Sequence, residues 1–525
     1  MIDTFIQDRL PPAEAQPEFL FTLPELQYPE RLNAAVELID WQVPDALAVV
    51  NDAGSWTYGE MKDLSDRIAR LLVEREGLVP GNRVFLRGPN NAMLFASWLG
   101  ALKAGGVVVT TMPMLRPGEI ATILERARIS HAIVDARFRA DFDAAGGTGS
   151  ILAYDGDNGF DGLDDVAPGF TPVDTGRDDV ALVAFTSGTT GNPKGCVHFH
   201  RDILAPADSF ARHVLKPEPG QRWACSAPIA FTFGLGMLLI FPWRFGGAAV
   251  TIETPGPGPL LDAIARHKVT NLATAPTAYK AILSMLDGHD ISTLTTCVSA
   301  GEHLPAATWH AWHEKTGLAI VDGIGATEMM HIFISASGDD IRPGATGKAV
   351  PGYVATVLDD DNRPLAEGTG RLAVKGPTGC RYFDDPRQAD YVVDGWNVTG
   401  DTYRKDADGY FWYLARSDDM IISSGYNIAA PEVENALYAH EAVQECAVVG
   451  APCEERGQKV KAFVVLAPGW APEAGTVSVL QEHVKAAIAP YKYPREIAFV
   501  DALPKTATGK LQRYALRESQ ASIGT

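Results

Sequence analysis

The sequence predicts an α/β protein with a β-rich subdomain, organised as a large N-terminal domain and a small α+β C-terminal domain. Three observations carry this. Short apolar, β-branched runs alternate with helical periodicity up to about residue 345, turn residues then crowd between short strands, and a compact strand–helix unit follows from about residue 419.

Gly106-Val107-Val108-Val109-Thr110, Ala132-Ile133-Val134, Ala181-Leu182-Val183-Ala184-Phe185 and Ala248-Ala249-Val250-Thr251-Ile252 read as buried strands. Between them lie stretches such as Leu260-Leu261-Asp262-Ala263-Ile264-Ala265-Arg266-His267, with apolar residues at helical spacing. That alternation implies parallel α/β sheets. The β-rich texture is typified by Thr356-Val357-Leu358-Asp359-Asp360-Asp361-Asn362-Arg363-Pro364. Further on, Pro431 opens a helix through Leu437, Ala447-Val448-Val449 and Ala462-Phe463-Val464-Val465-Leu466 are strands, and 478–488 is helical. With 525 residues the chain exceeds the roughly 250–300 that one core organises. The expected division is 1–417 and 418–525, with the polar run Arg416-Ser417-Asp418-Asp419 placed to act as a hinge.

Composition excludes several functions. Hydrophobic residues make up 46% and charged residues 21%, as in ordinary globular chains. A formal charge of −20 argues against a nucleic-acid surface, which needs clustered Lys and Arg. The six cysteines include no C-x-x-C pair, so neither a thiolate zinc site nor a disulfide framework is supported, and a cytoplasmic protein is expected. The N-terminus lacks the basic and apolar regions of a secretory signal. Residues 223 to 243 are uncharged, yet Pro228, Gly234, Gly236 and Pro242 interrupt them, so they read as buried core or pocket wall and no membrane span is expected.

Thr186-Ser187-Gly188-Thr189-Thr190-Gly191-Asn192-Pro193-Lys194-Gly195 follows an apolar strand. Four hydroxyls, three glycines and a lysine suit an anion: small residues let backbone N–H groups converge, hydroxyls add donors and Lys194 adds charge. A plain surface turn is the bland alternative, and a buried strand running into this composition disfavours it. The run is not a Walker A loop, because Pro193 stands where that motif needs glycine and Gly195 follows Lys194 in place of Ser or Thr. No G-x-G-x-x-G is completed near Gly234 or Gly323, so a dinucleotide fingerprint is unsupported.

The run resembles the signature of the adenylate-forming superfamily, which includes acyl-CoA synthetases, luciferases and the adenylation domains of peptide synthetases. Gly325-Ala326-Thr327-Glu328 resembles its G-x-T-E motif, Thr399-Gly400-Asp401 its ribose-binding motif, Arg416-Ser417-Asp418-Asp419 its hinge and Pro504-Lys505-Thr506-Ala507-Thr508-Gly509-Lys510 its C-terminal lysine motif. Five motifs in order over nearly the whole chain make the resemblance specific.

The resemblance implies attack of a carboxylate on the α-phosphate of ATP, giving acyl-AMP and pyrophosphate, then transfer of the acyl group to coenzyme A. It assigns the phosphates to Thr186, Ser187, Gly188, Thr189, Thr190, Gly191 and Lys194, and adenine to Gly301, Glu302, Asp322, Gly323 and Ile324, where many relatives carry tyrosine at the last position. Gly325, Ala326 and Thr327 complete the nucleotide site, with Asp401 on the ribose and Arg416 near it. Lys510, Glu328 and Thr186 are expected to act on the reacting groups, Glu328 as the Mg2+ ligand and Lys510 on the developing charge. A solvated loop carboxylate and a frayed cationic tail are the bland readings of Glu328 and Lys510 taken alone. Rotation of the small, mobile C-terminal domain about Asp418 is implied, which brings Ser424, Gly425 and Tyr426 to the CoA thiol path.

The acid site is expected at Phe231, Thr232, Phe233 and Gly234, with His331 as a polar contact. Flat phenylalanine surface suits an aryl ring better than a long alkyl tunnel, although an ordinary aromatic core and a hydrogen-bonded core histidine fit the same residues. The stretches 23–33 and 322–328 resemble benzoate-type aryl-CoA ligases, which implies benzoate or 2-aminobenzoate as the acid. A carrier-loading adenylation enzyme, a luciferase-like oxygenase and a non-catalytic nucleotide-binding regulator are the rivals. A homodimer stays open.

Overall fold

The computed structural model describes residues 1–186, 193–416, 420–423, 426–453, 457–488, 492–505, 511–513 and 515–517. The chain divides into two compact units, Met1–Ala355 with Val374–Val398, and Thr356–Ala373 with Thr399–Thr525. The β-rich stretch is therefore apportioned between both units.

The first unit carries two large sheets. In the six-stranded sheet the order is Ser150–Tyr154, His131–Asp135, Arg83–Arg87, Val107–Thr111, Val180–Thr186 and Lys194–Phe199, parallel except for the last strand. Its inner strands are buried on both faces, which is why their central residues are apolar without alternation. The other sheet has nine strands, and within it Thr296–Ser299 lies between parallel Asn271–Thr274 and Ile320–Gly325. The expected strand at 248–252 ends at Val250.

Helices cover these sheets as the apolar spacing requires. Pro257–His267 buries Leu260, Leu261 and Ile264 against Leu272 and Ile320. Ala92–Lys103 is buried all round and starts at Asn91, whose side chain accepts from the Leu94 N–H at 2.9 Å. Residues 223–243 form the end of one strand and a series of short helical turns, with Trp223, Leu238, Leu239 and Trp243 in the core. No helix among the described residues is long and apolar enough to cross a membrane.

In the second unit the α+β reading holds. Strands Val443–Cys453 and Gly457–Leu466 pair along their length, and Glu496–Phe499 joins the latter in parallel. Helices Ala430–Tyr438 and Ala474–Ala487 pack Val433, Leu437, Leu480 and Val484 with Val448 and Val460. Pro431 stands in the first turn of its helix, where the missing N–H costs nothing.

Candidate active site

The expected phosphate loop is flanked by two paired strands. Thr186 stands opposite Lys194 across the hairpin formed by Val180–Thr186 and Lys194–Phe199. Ser187, Gly188, Thr189, Thr190 and Gly191 lie outside the described residues. The Thr186 hydroxyl is sealed from solvent with no hydrogen-bond partner among the described residues. Lys194 Nζ lies 3.9 Å from Glu328 Oε1 and 4.5 Å from the centroid of the Tyr382 ring. The Tyr382 hydroxyl donates to the same Glu328 oxygen. Burial, with the Glu328 charge beside it, raises the Tyr382 phenol far above its ordinary range, so it stays a neutral donor.

Glu328 is 7% exposed and sits on a tight turn between the strands Ile320–Gly325 and Ile332–Ser335. The Met330 N–H closes that turn on the Thr327 carbonyl at 3.1 Å. Met330 pays for the turn with φ +66°, a left-handed conformation uncommon outside glycine. Two buried side chains hold it there: His198 Nε2 donates to the Thr327 carbonyl at 2.8 Å, and Thr378 Oγ1 to the Met329 carbonyl at 2.7 Å. Because a carbonyl only accepts, the His198 proton is on Nε2, and burial, lowering its pKa to about 4, keeps the ring neutral.

The expected adenine residues gather at the carboxyl ends of neighbouring parallel strands, where α/β sheets bind ligands. Ser299 is in register with Asp322, so Gly301 and Glu302 leave one strand beside Asp322, Gly323 and Ile324 of the next. A side chain at Gly323 would meet Ile332 Cγ2 at 2.7 Å, so the close approach of the two strands requires glycine. Asp322 keeps part of its surface exposed, but Oδ1 is sealed from solvent and burial pushes the carboxyl up to about 7. In the second unit Arg416 Nη1 lies 3.5 Å from Asp401 Oδ1, across the paired strands Trp396–Lys405 and Phe411–Arg416.

The two segments expected to wall the acid site come together. Phe231 precedes the short helix Thr232–Leu235, and Gly234 within it is obligatory, since a Cβ would stand 2.2 Å from the Pro228 carbonyl oxygen. His331, 3% exposed, sits in a cage of Phe210, Phe233 and Phe241, at centroid distances of 5.6, 5.7 and 4.6 Å. Gly236 makes room for it, because a Cβ there would meet the imidazole Cδ2 at 2.3 Å. His331 Nε2 donates to the Phe233 carbonyl at 3.4 Å, which leaves Nδ1 as an acceptor sealed from solvent and without a partner among the described residues. Burial lowers the His331 pKa to about 3.

Lys510, Asp418, Ser424 and Gly425 lie outside the described residues, and of Tyr426 only the backbone, in the strand Tyr426–Ala429, is described. Sequence reasoning missed Tyr382, His198, Phe210 and Phe241. Tyr382 is 54 positions from Glu328 and joins it only through the fold. His198 was within reach of notice, four residues beyond Lys194 on a strand that flanks the expected phosphate loop.

Residues 40–382 match the family described as AMP-binding enzyme, and residues 432–510 match the AMP-binding enzyme C-terminal domain. The chain is 37% identical over 516 residues to benzoate–CoA ligase of Thauera aromatica, covering 95% of this chain and 98% of that one. Among solved structures it resembles the anthranilate CoA ligase AuaEII in complex with anthranoyl-AMP, with a TM-score of 0.90, 34% identity and coverage of 95% and 100%. It also resembles a benzoate CoA ligase from Burkholderia xenovorans LB400, with a TM-score of 0.84, 32% identity and coverage of 93% and 100%.

Proposed function

The chain belongs to the AMP-binding enzyme family and is an AMP-forming acid–CoA ligase; from that premise we propose that its acid is an aromatic carboxylate of the benzoate type, 2-aminobenzoate foremost. The observation that carries the choice of acid is the His331 cage. Three phenylalanine rings enclose the imidazole, and its Nδ1, sealed behind them, lacks a partner that an amino group supplies once a ring of the cage moves to admit the acid. Leaving such an acceptor unpaired costs about 1–3 kcal/mol, so an ortho N–H gains what an ortho methyl does not.

The residues divide the reaction between them. Thr186, Lys194 and the loop Ser187–Gly191 hold the phosphates, Asp401 accepts from the ribose hydroxyls, and Gly301, Glu302, Asp322, Gly323 and Ile324 frame the adenine, next to the turn of Gly325, Ala326 and Thr327. Glu328, a single hard carboxylate beside a phosphate loop, fits Mg2+, which takes one or two carboxylates plus phosphate oxygens. When bound, the cation offsets charge that develops on the phosphates. Lys510 orients the attacking carboxylate and stabilises charge at the transferring phosphate. The carboxylate oxygen bonds to the α-phosphorus as pyrophosphate leaves; the CoA thiolate then bonds to the acyl carbon as AMP leaves. The second step places Ser424, Gly425 and Tyr426 by the thiol, after a hinge movement at Asp418 that separates 1–417 from 418–525. Dependence on ATP and CoA suits a cytoplasmic enzyme.

A panel of benzoate, 2-aminobenzoate, 2-methylbenzoate, acetate and decanoate, scored for AMP and acyl-CoA, tests the reading. An aryl preference with 2-aminobenzoate above 2-methylbenzoate is expected, and a preference for decanoate overturns the aryl assignment.

A further inference from the structure

We infer that Asn90 is a positioning residue for acid selection, which ties down the loop that carries Phe231 and Phe233. The inference rests on the reading that Phe231, Phe233 and Gly234 wall the acid site. Asn90 is 4% exposed and follows the strand Arg83–Arg87 of the six-stranded sheet. Its carboxamide reaches the loop that leaves the strand Arg222–Cys225 of the other sheet. Nδ2 donates to the Ala227 carbonyl at 3.1 Å, and Oδ1 accepts from the Ile229 N–H at 2.9 Å. These bonds fix which way the amide faces, since a carbonyl only accepts and an N–H only donates. One side chain thus pairs with a loop backbone as a strand would, at the point where the carboxyl ends of two sheets meet.

Asn90 reaches the phenylalanines through steric contact. The Phe231 N–H donates to the Pro228 carbonyl at 3.0 Å. A Cβ on Gly234 would stand 2.2 Å from that oxygen and 2.5 Å from the Ala227 oxygen. The helix Thr232–Leu235 is therefore seated directly on the two carbonyls whose segment Asn90 holds. Asn90 is itself anchored: its neighbour Asn91 donates to Glu253 Oε1 at 3.0 Å while capping the helix Ala92–Lys103. Loosening the 227–229 segment frees Phe231 and Phe233 to shift, and small misplacements of a substrate-orienting wall are expensive in rate.

The test is acid-dependent ATP–pyrophosphate exchange on full-length wild type, Asn90→Asp and Asn90→Ala, with benzoate, 2-aminobenzoate and hexanoate, and Phe233→Ala as a control. Asn90→Asp keeps the acceptor for Ile229 and turns a carboxylate oxygen on the Ala227 carbonyl; Asn90→Ala keeps the inference testable where the first variant does not fold. KM for the aryl acids is expected to rise about tenfold, and preference over hexanoate to fall about fivefold, with KM for ATP unchanged. Acid and ATP KM rising together, or an unaltered acid preference in folded Asn90 variants while Phe233→Ala alters it, overturns the inference. If Phe233→Ala also leaves acid preference unaltered, the acid-site reading fails and the inference falls with it.

Discussion

Tyr382 donates its hydroxyl to Glu328 Oε1 while its ring face lies 4.5 Å from Lys194 Nζ. One phenol thus contacts both charged groups beside the expected phosphate loop. Lys194 and Glu328 are 3.9 Å apart, an ion pair too long for a direct hydrogen bond, so the tyrosine hydroxyl supplies the directional contact that orients the carboxylate.

Removing only the hydroxyl isolates that role. Tyr382→Phe keeps the ring against Lys194 and takes away a hydrogen bond to a charged acceptor, an interaction worth about 1.5–3 kcal/mol. Acyl-AMP formation is expected to slow by roughly 10- to 100-fold, with the thermal midpoint little changed. Unaltered pyrophosphate exchange in the folded variant contradicts a role for Tyr382 in setting Glu328.

His331 offers a test of the ortho contact. His331→Phe retains an aromatic filler inside the phenylalanine cage and deletes the Nδ1 acceptor. The ratio of kcat/KM for 2-aminobenzoate over 2-methylbenzoate is expected to fall by about tenfold, equivalent to about 1.4 kcal/mol. A ratio that stays at the wild-type value removes the assigned contact.

The fold was legible because its signals are local. The strands Val107–Thr111 and Val180–Thr186 each open on an unbroken apolar run because their beginnings are covered on both faces, and Pro431 marks its helix by chemistry that acts within one turn. Glu328 and His331 were singled out as candidates by their place in or beside motifs. Tyr382 and Phe210 were not, because their roles arise from contacts across 54 and 121 positions of chain, and nothing around either residue in the sequence distinguishes it from core. The strain at Met330 was equally hidden: a left-handed methionine is set by the hairpin it closes and by His198 and Thr378 gripping the turn.

Stability should fall in mild acid. His200 accepts from the Ala34 N–H at 3.1 Å, and burial, outweighing the pull of Asp179, lowers its pKa to about 4; His331 is lowered to about 3. Both are depressed from 6.5, so the unfolded chain takes up protons that the folded chain refuses. Stability is therefore unaffected by these groups above pH 6.5 and is lost as pH falls from there toward 4, by about 1.4 kcal/mol per histidine per pH unit. Urea midpoints at pH 7.5, 6.0 and 5.0 check this, and a flat profile contradicts it.

Lys103 is fully buried, with Asp40 at 2.8 Å and Asp66 at 2.7 Å. Lys103→Met leaves both carboxylates to Lys62, whose Nζ is 2.7 Å from Asp66 and 3.8 Å from the partly exposed Asp40, and is expected to destabilise by about 2–3 kcal/mol, less than stranding a buried charge outright. Urea unfolding within 1 kcal/mol of wild type would show that the carboxylates find water or other partners.

A two-step ligase makes separate demands on its two half-reactions, and Lys510→Ala assayed in each with 2-aminobenzoate separates them. Formation of acyl-AMP from ATP and acid is expected to collapse, while preformed 2-aminobenzoyl-AMP and CoA still give the thioester at a rate near wild type. Equal loss of both half-reactions in a folded variant, or full retention of the first, contradicts it.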